Sequence, residues 1–210
     1  MAGPGRPRAF DTDEALDAAV EVFWRRGFAG ASVSELAAAM GVNKPSVYGA
    51  FGDKAQLFQA ALRRYVERNM GYIADALERP TARECARAFL LGNALAVTVP
   101  GQPAGCLSVQ AVATPDESGE YAVLAENRAT VQRLFADRFR RAIADGDLPD
   151  GEDPDELATY LITVSSGFAI RAADGTPRES LLALAERAVT AFPAPVADSR
   201  SVTSKENTHA

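Results

Sequence analysis

Residues 41–54, GVNKPSVYGAFGDK, carry side chains that donate hydrogen bonds or positive charge. Lys44 and Lys54 are cationic, while Ser46 and Tyr48 have hydroxyl groups. Groups of this kind bind phosphates and the edges of bases in DNA. Isolated helices shorter than about 12 residues are marginal in water, so other elements must hold this segment in place.

The residue types that catalysis and metal binding most often require are scarce in this chain. His209 is the single histidine and lies next to the last residue, and Cys85 and Cys106 are the two cysteines. A Ser-His-Asp or Cys-His mechanism, or a histidine metal site, would have to be built on the C-terminal tail. We therefore expect no catalytic residue, no metal site, no cofactor and no enzyme activity, and we expect free thiols.

The composition is that of an ordinary globular protein, with 210 residues, 47% of them apolar and 24% charged. The net charge of -6 argues against coating of nucleic acid by the whole surface, although it permits a local basic face. No apolar run approaches the ~18 residues of a membrane span, and no signal-peptide pattern follows the N-terminus. We expect a cytoplasmic protein without a membrane partner.

Helical periodicity runs through the chain, and no segment alternates as a β-strand does. The pattern predicts an all-α fold of about nine helices. Thr12 is expected to cap the first helix, Gly27 to end it, Ser32 to open the second and Asp53 to cap a long fourth helix. The expected helices after the third are 54–78, 81–98, 106–113, 118–145, 154–173 and 178–192.

Changes in composition divide the chain into four segments. The N-terminal segment is basic and rich in glycine and proline, and the C-terminal one lacks apolar periodicity, which is typical of disorder. The segments are a flexible basic arm at 1–9, a three-helix segment at 10–55, a longer helical segment at 56–192, and a disordered tail at 193–210.

The second and third helices have the spacing of a helix-turn-helix. Ala37 is a small residue where the helices cross, and Gly41 supplies the tight turn. Val42 and Val47 would lock the short helix onto its neighbour. Because the inner face of the short helix is occupied by these packing residues, its polar side chains must point outward. A short helix with exposed polar side chains of this kind is typical of one that enters the major groove of DNA.

Residues 6–58 contain a specific set of residues at fixed spacing. They are Gly27-Phe28, Ser32-Val33, Leu36-Ala37, Met40-Gly41-Val42, Ser46-Val47-Tyr48, Phe51, Lys54 and Leu57-Phe58. Through these residues the segment resembles the TetR family of transcriptional regulators, and beyond residue 60 the chain resembles the family only in its helical architecture.

The resemblance implies a homodimer in which 10–55 is a helix-turn-helix DNA-binding domain and 56–192 is a ligand-binding and dimerisation domain with a ligand pocket. It implies a repressor that binds a palindromic operator in double-stranded DNA and is released by a small-molecule inducer. Arg6 and Arg8 in the arm would reach the minor groove or make no specific contact. The remaining DNA-binding positions are Ser32, Asn43, Lys44, Pro45, Ser46, Tyr48 and Lys54.

Two further sets of candidates lie in the C-terminal part. Apolar stripes on the last two predicted helices fit a four-helix dimer interface, or else the core of the chain itself. The interface candidates are Leu157, Leu161, Val164, Phe168, Leu181, Leu184 and Phe192. Inward positions of the middle helices fit a ligand pocket, or else plain core. The pocket candidates are Phe89, Asn93, Cys106, Gln110, Phe135 and Phe139.

Three other functions remain open at the level of sequence. Cys106 could make the protein a redox or electrophile sensor with DNA binding as its output, although a buried, inert cysteine is the simpler interpretation. The chain could be an all-α small-molecule-binding protein or enzyme with a degenerate helix-turn-helix. It could also be an architectural DNA-binding protein without an effector, but the C-terminal part is longer than dimerisation alone requires.

Overall fold

The computed structural model describes residues 11–110 and 120–193, which form ten α-helices and no strand. The all-α fold is confirmed. No helix among these residues is long and apolar enough to cross a membrane. The helices are α1 (Thr12–Gly30), α2 (Val33–Ala39), α3 (Lys44–Phe51), α4 (Lys54–Asn69), α5 (Gly71–Leu77), α6 (Ala82–Ala96), α7 (Leu107–Gln110), α8 (Glu120–Ala144), α9 (Pro154–Ala173) and α10 (Arg178–Thr190).

Side-chain caps fix where the N-terminal helices start. Asp11, and not Thr12, caps α1, because its carboxylate accepts from the backbone N–H groups of the two acidic residues in the first turn. Ser32 and Glu35 form a capping box at α2, as the sequence predicted. Asp53 caps α4 in the same way, with Gln56 as its partner.

Two glycines shape the region before the third helix. Gly27 interrupts the helical backbone of α1 with φ 67° and ψ 174°, after which one more turn follows. Gly41 makes the turn after α2 at φ 66°, a conformation that side chains other than glycine rarely adopt. Ala37 and Val47 are buried at the crossing, so the predicted helix-turn-helix packing is confirmed.

The N-terminal helices are fastened to α4 by aromatic rings and by charge. The Phe23 ring meets the Phe58 ring edge-on with centroids 5.0 Å apart. On the surface, the Arg64 guanidinium donates to the Asp17 carboxylate at 2.8 Å. Arg68 contacts the same carboxylate. Both contacts join α4 to α1, so α4 packs with the N-terminal helices as well as with the helices that follow it.

The long fourth helix of the sequence prediction is broken in two. Met70 leaves the helical conformation at φ -114° and ψ 16°, and Gly71, which stabilises a helix poorly, follows it. The chain then turns so that α5 packs against α6. There Gly92 lies so close to Tyr72 that a Cβ atom on the glycine would be 2.8 Å from the tyrosine Cβ atom.

A second group of helices, α6 and α8–α10, surrounds a line of buried aromatic rings. Phe89, Phe135, Phe139 and Phe192 follow one another with centroid distances of 4.4, 6.2 and 5.2 Å. The described core is continuous from the N-terminal helices to α10. Several predictions lie outside the described residues: the arm at 1–9, the tail beyond 193, and the ends of the helices expected at 106–113 and 118–145.

Candidate functional site

The short helix α3 buries one residue and exposes most of the others. Val47 is 2% exposed and faces the body of the protein. Lys44, Pro45 and Gly49 are exposed, and the Tyr48 side chain is 51% exposed. The predicted separation of an inner apolar face from an outer polar face is therefore present, and the outer face has small residues in its middle.

Asn43 fixes the N-terminal end of α3 and also orients Ser46. Its side-chain Oδ1 accepts from the Ser46 backbone N–H at 2.9 Å and from the Ser46 hydroxyl at 2.8 Å. The Ser46 proton is therefore engaged within the helix, and its oxygen remains free to accept. Among the candidate DNA-binding residues, Asn43 thus acts through its capping role.

The residues at the other end of α3 are oriented by their neighbours. Gly52 ends the helix at φ 79°, and its N–H donates to the Tyr48 carbonyl at 3.0 Å. The Lys54 ammonium lies 4.2 Å from the centre of the Phe28 ring, a cation–π contact that holds the charge near the surface. Tyr48 and Lys54 therefore lie on either side of one tight turn.

Ser32, one of the DNA-binding candidates, has both of its hydrogen-bond donors engaged within the protein. Its hydroxyl and its backbone N–H both donate to the Glu35 carboxylate, at 3.0 and 3.1 Å. These hydrogen bonds lower the pKa of the Glu35 carboxyl, so it is negatively charged at neutral pH. A phosphate could bind there only after Glu35 moved away. The physical reason is the capping box itself, which uses the same two donors.

A cavity lies among α5–α9, with about 430 Å³ of empty space including its open mouth. Three of the six pocket candidates, Phe89, Asn93 and Cys106, line it. The others that line it are Met70, Tyr72, Ile73, Ser108, Val109, Asn127, Arg128, Val131, Ile162, Ser165 and Ser166.

Two of the other pocket candidates belong to the core and not to this cavity. Phe135 and Phe139 are fully buried in the line of aromatic rings and are absent from the cavity wall. The side chain of Gln110 lies outside the described part. Arg128 also lines the cavity but was not among the candidates from the sequence. Its position on the same side of α8 as buried Leu124 and partly buried Val131 indicates that this polar residue faces inward.

A buried hydrogen bond connects the cavity to the N-terminal helices. The Tyr65 hydroxyl on α4 donates to the Cys106 Sγ atom at 3.3 Å. Burial, with the neighbouring thiol, raises the pKa of the Tyr65 phenol above its usual range, so it remains a donor. The Tyr65 ring also meets the Trp24 ring of α1 at 4.8 Å. Cavity, α4 and α1 are thus in direct contact.

Four of the seven candidates for the dimer interface lie in the core of the chain itself. Leu161 and Leu181 are fully buried, and Phe168 and Phe192 are almost so, because α9 and α10 use this side to pack on α6 and α8. They cannot form a surface for a partner. The exposed side of α9 instead carries Thr163, Gly167 and Ile170, next to small residues of α8. Leu184 is exposed on α10, and Leu157 and Val164 are partly buried.

Comparison with known proteins agrees with this arrangement. A family model described as bacterial regulatory proteins, tetR family, matches residues 15–61. The HTH-type transcriptional repressor ComR of Escherichia coli (strain K12) is 31% identical over 194 residues, which are 90% of this chain and 92% of ComR. The repressor BdcR of the same organism is 31% identical over 88% of this chain and 90% of BdcR.

Solved structures extend the likeness to the whole fold. A cysteine mutant of the TetR family transcriptional regulator CifR, complexed with 26-bp operator DNA, is 44% identical, with a TM-score of 0.84. The match covers 90% of this chain and 100% of that one. A TetR transcriptional regulator from Rhodococcus sp. RHA1 is 40% identical, with 86% and 98% covered and a TM-score of 0.62. The chain therefore belongs to the TetR family of bacterial transcriptional regulators.

Proposed function

We propose that the protein is a ligand-responsive repressor that binds a palindromic operator as a homodimer and is released by a small molecule. The observation that carries the proposal is the outer face of α3. There Lys44, Ser46 and Tyr48 are presented around small residues that allow close approach to DNA. CifR, which is 44% identical over 90% of this chain, is a family member complexed with operator DNA.

The homodimer is formed through the exposed side of α8 and α9. Most of its residues are small or apolar, with Arg128 and Gln132 as the exceptions. A Cβ atom on Gly167 would meet no atom within 4 Å, so a partner helix could approach closely. Ile170, with 53% of its side chain exposed, is the largest apolar group there. The face consists of Ala125, Arg128, Ala129, Gln132, Ile162, Thr163, Ser166, Gly167 and Ile170.

The inducer binds in the cavity among α5–α9 and acts on DNA binding through α4. This helix carries Lys54 at its first residue and Tyr65 three turns later. A ligand that displaces Cys106 or its neighbours therefore moves the helix whose other end lies beside the DNA-binding face. The proposal also allows Cys106 itself to sense an electrophile, because its Sγ atom accepts a hydrogen bond beside the cavity wall.

The experiment is a selection of binding sites from a random DNA library with the full chain, followed by salt titrations of affinity by fluorescence anisotropy. The enriched sequence should be a palindrome. Lys54→Ala should weaken binding to operator and to scrambled DNA alike. It should lower the salt slope by about 0.9 per lost phosphate contact in each half-site. Lys44→Ala should cost about 1–3 kcal/mol per half-site on the operator alone.

Arg63→Ala is the matched control, since Arg63 is an exposed cation near the far end of α4. It should leave both the operator affinity and the salt slope unchanged. An enriched sequence without two-fold symmetry would contradict the homodimer. Equal loss on operator and scrambled DNA for Lys44→Ala would remove this residue from base recognition.

A further inference from the structure

Two polar groups of the cavity wall are buried without a hydrogen-bond partner. Asn93 is 5% exposed, and its Oδ1 has no partner, while its Nδ2 donates to the Tyr72 hydroxyl at 3.0 Å. Ser108 is 3% exposed, and its Oγ has no partner either. Buried polar atoms are nearly always paired, so two orphans on one cavity wall indicate a partner that enters the cavity.

Among the described residues that line this cavity, Arg128 is the one with a positive charge, and it also borders the groove on the exposed side of α8 and α9. Arg128 donates to the Ser108 backbone carbonyl. Within the described part of the chain, no carboxylate forms an ion pair with it, and no acidic residue lines the cavity. The other arginines of α8 that form ion pairs, Arg133 and Arg140, lie on the outer surface. The cavity therefore favours an anion near Arg128.

The rest of the cavity wall determines what the anion is attached to. Met70, Ile73, Phe89, Val109, Val131 and Ile162 give it a mostly apolar surface. An apolar body of a few carbon atoms would bury its surface there. A hydroxyl group suits the two orphan atoms, because it donates to an amide oxygen and also accepts from a serine hydroxyl.

We propose that the cavity binds a short-chain hydroxy carboxylic acid. Its carboxylate contacts Arg128, its hydroxyl contacts Asn93 and Ser108, and its hydrocarbon chain packs on the apolar wall. The inference names the ligand class of the cavity assigned above to the inducer, and it rests on that part of the proposed function.

The test is isothermal titration calorimetry of the full chain with three six-carbon probes. These are 3-hydroxyhexanoate, its methyl ester and hexanoate. The ester removes the charge and hexanoate removes the hydroxyl group. We expect 3-hydroxyhexanoate to bind about tenfold or more tightly than either of the other two, since each lacks one buried polar contact.

Two variants assign the contacts to residues. Arg128→Gln should bind 3-hydroxyhexanoate and its methyl ester with equal affinity. In Ser108→Ala, the difference in binding free energy between 3-hydroxyhexanoate and hexanoate should be less than half of that in the parent protein. Arg141→Gln is the matched control, because Arg141 is an exposed arginine of the same helix. It should keep the full preference of the parent protein. Circular dichroism checks that each variant is folded.

The inference is overturned if the ester binds as tightly as the acid, or if none of the probes binds at millimolar concentration. It is also overturned if Arg128→Gln keeps the preference for the acid. Operator binding, measured separately by anisotropy, distinguishes this failure from failure of the proposed function. If the protein binds its palindromic operator but none of the acids, the proposed function stands and the inferred ligand class is wrong.

Discussion

Ser46 illustrates how one hydrogen bond determines what a side chain can recognise. Because its proton is donated to Asn43 Oδ1, the Ser46 oxygen would contact DNA as an acceptor only. In the major groove the available donors are the amino groups of adenine and cytosine. Ser46→Ala should therefore reduce the preference for such a base at one position of each half-site, by about 1 kcal/mol.

The measurement is anisotropy on the selected operator and on its single-base variants. Ser34→Ala is the control, since Ser34 is an exposed serine of α2. Its base preferences should equal those of the parent. If Ser46→Ala keeps every base preference of the parent, the acceptor role is refuted.

Cys106 gives a second prediction at the scale of a residue. Its Sγ accepts from Tyr65, so alkylation with N-ethylmaleimide would remove this hydrogen bond and place a bulky group beside the cavity. We expect the reagent to weaken operator binding of the parent at least severalfold and to leave Cys106→Ser unaffected. Cys85→Ser is the control and should respond as the parent does, because Cys85 is buried outside the cavity. Equal loss in all three proteins would assign the effect to another site.

At the scale of elements, the dimer interface is tested most directly on α9. Ile170→Glu places a charge on the exposed face proposed to meet the partner, and it should convert the dimer to a monomer in analytical ultracentrifugation. Leu184→Glu is the matched control on exposed α10 and should remain dimeric. The reverse result would assign the interface to α10, and two intact dimers would place it elsewhere.

The contact between α1 and α4 has a defined pH dependence. Hydrogen bonds from Arg64, opposed by partial burial and assisted by Arg68, lower the pKa of the Asp17 carboxyl from 3.8. A lowered pKa in the folded state stabilises the fold above pH 3.8, and this stabilisation is lost as the pH falls through the folded-state pKa.

Asp17→Asn should therefore lower Tm at pH 7 by a few degrees, and the difference from the parent should shrink below about pH 4. Asp75→Asn, at an exposed position of α5, should leave Tm unchanged at both pH values. A difference in Tm between Asp17→Asn and the parent that persists unchanged at pH 3 would exclude the ion pair as its source.

The sequence predicted elements better than it predicted what they contact. Capping residues such as Ser32, Asn43 and Asp53 act within three residues, so local pattern was enough to find them. The stripe through Leu161 and Phe168 was also recognised correctly as apolar. Helical period alone, however, does not tell whether such a stripe meets its own chain or another, and here it meets its own.

At the scale of the whole molecule, α4 is the element that the two sites share. Its first residue, Lys54, packs on Phe28 beside the DNA-binding face, and Tyr65 reaches Cys106 beside the cavity. The two residues are about 16 Å apart along one helix, given its rise per residue. The residues that line the cavity come from α5–α9 and share no sequence period, so helical pattern alone does not pick out the residues of such a wall.

The close packing of Gly92 against Tyr72 has a consequence for genetics. Any larger residue at 92 would push the tyrosine aside and, with it, the hydroxyl that holds Asn93. Such an allele would spare the DNA-binding helix and the exposed face of α9 but damage recognition of the inducer. Its subunits would still pair with normal ones. In a cell that carries both alleles, the mixed dimers would stay on the operator, so the defect would be inherited as dominant.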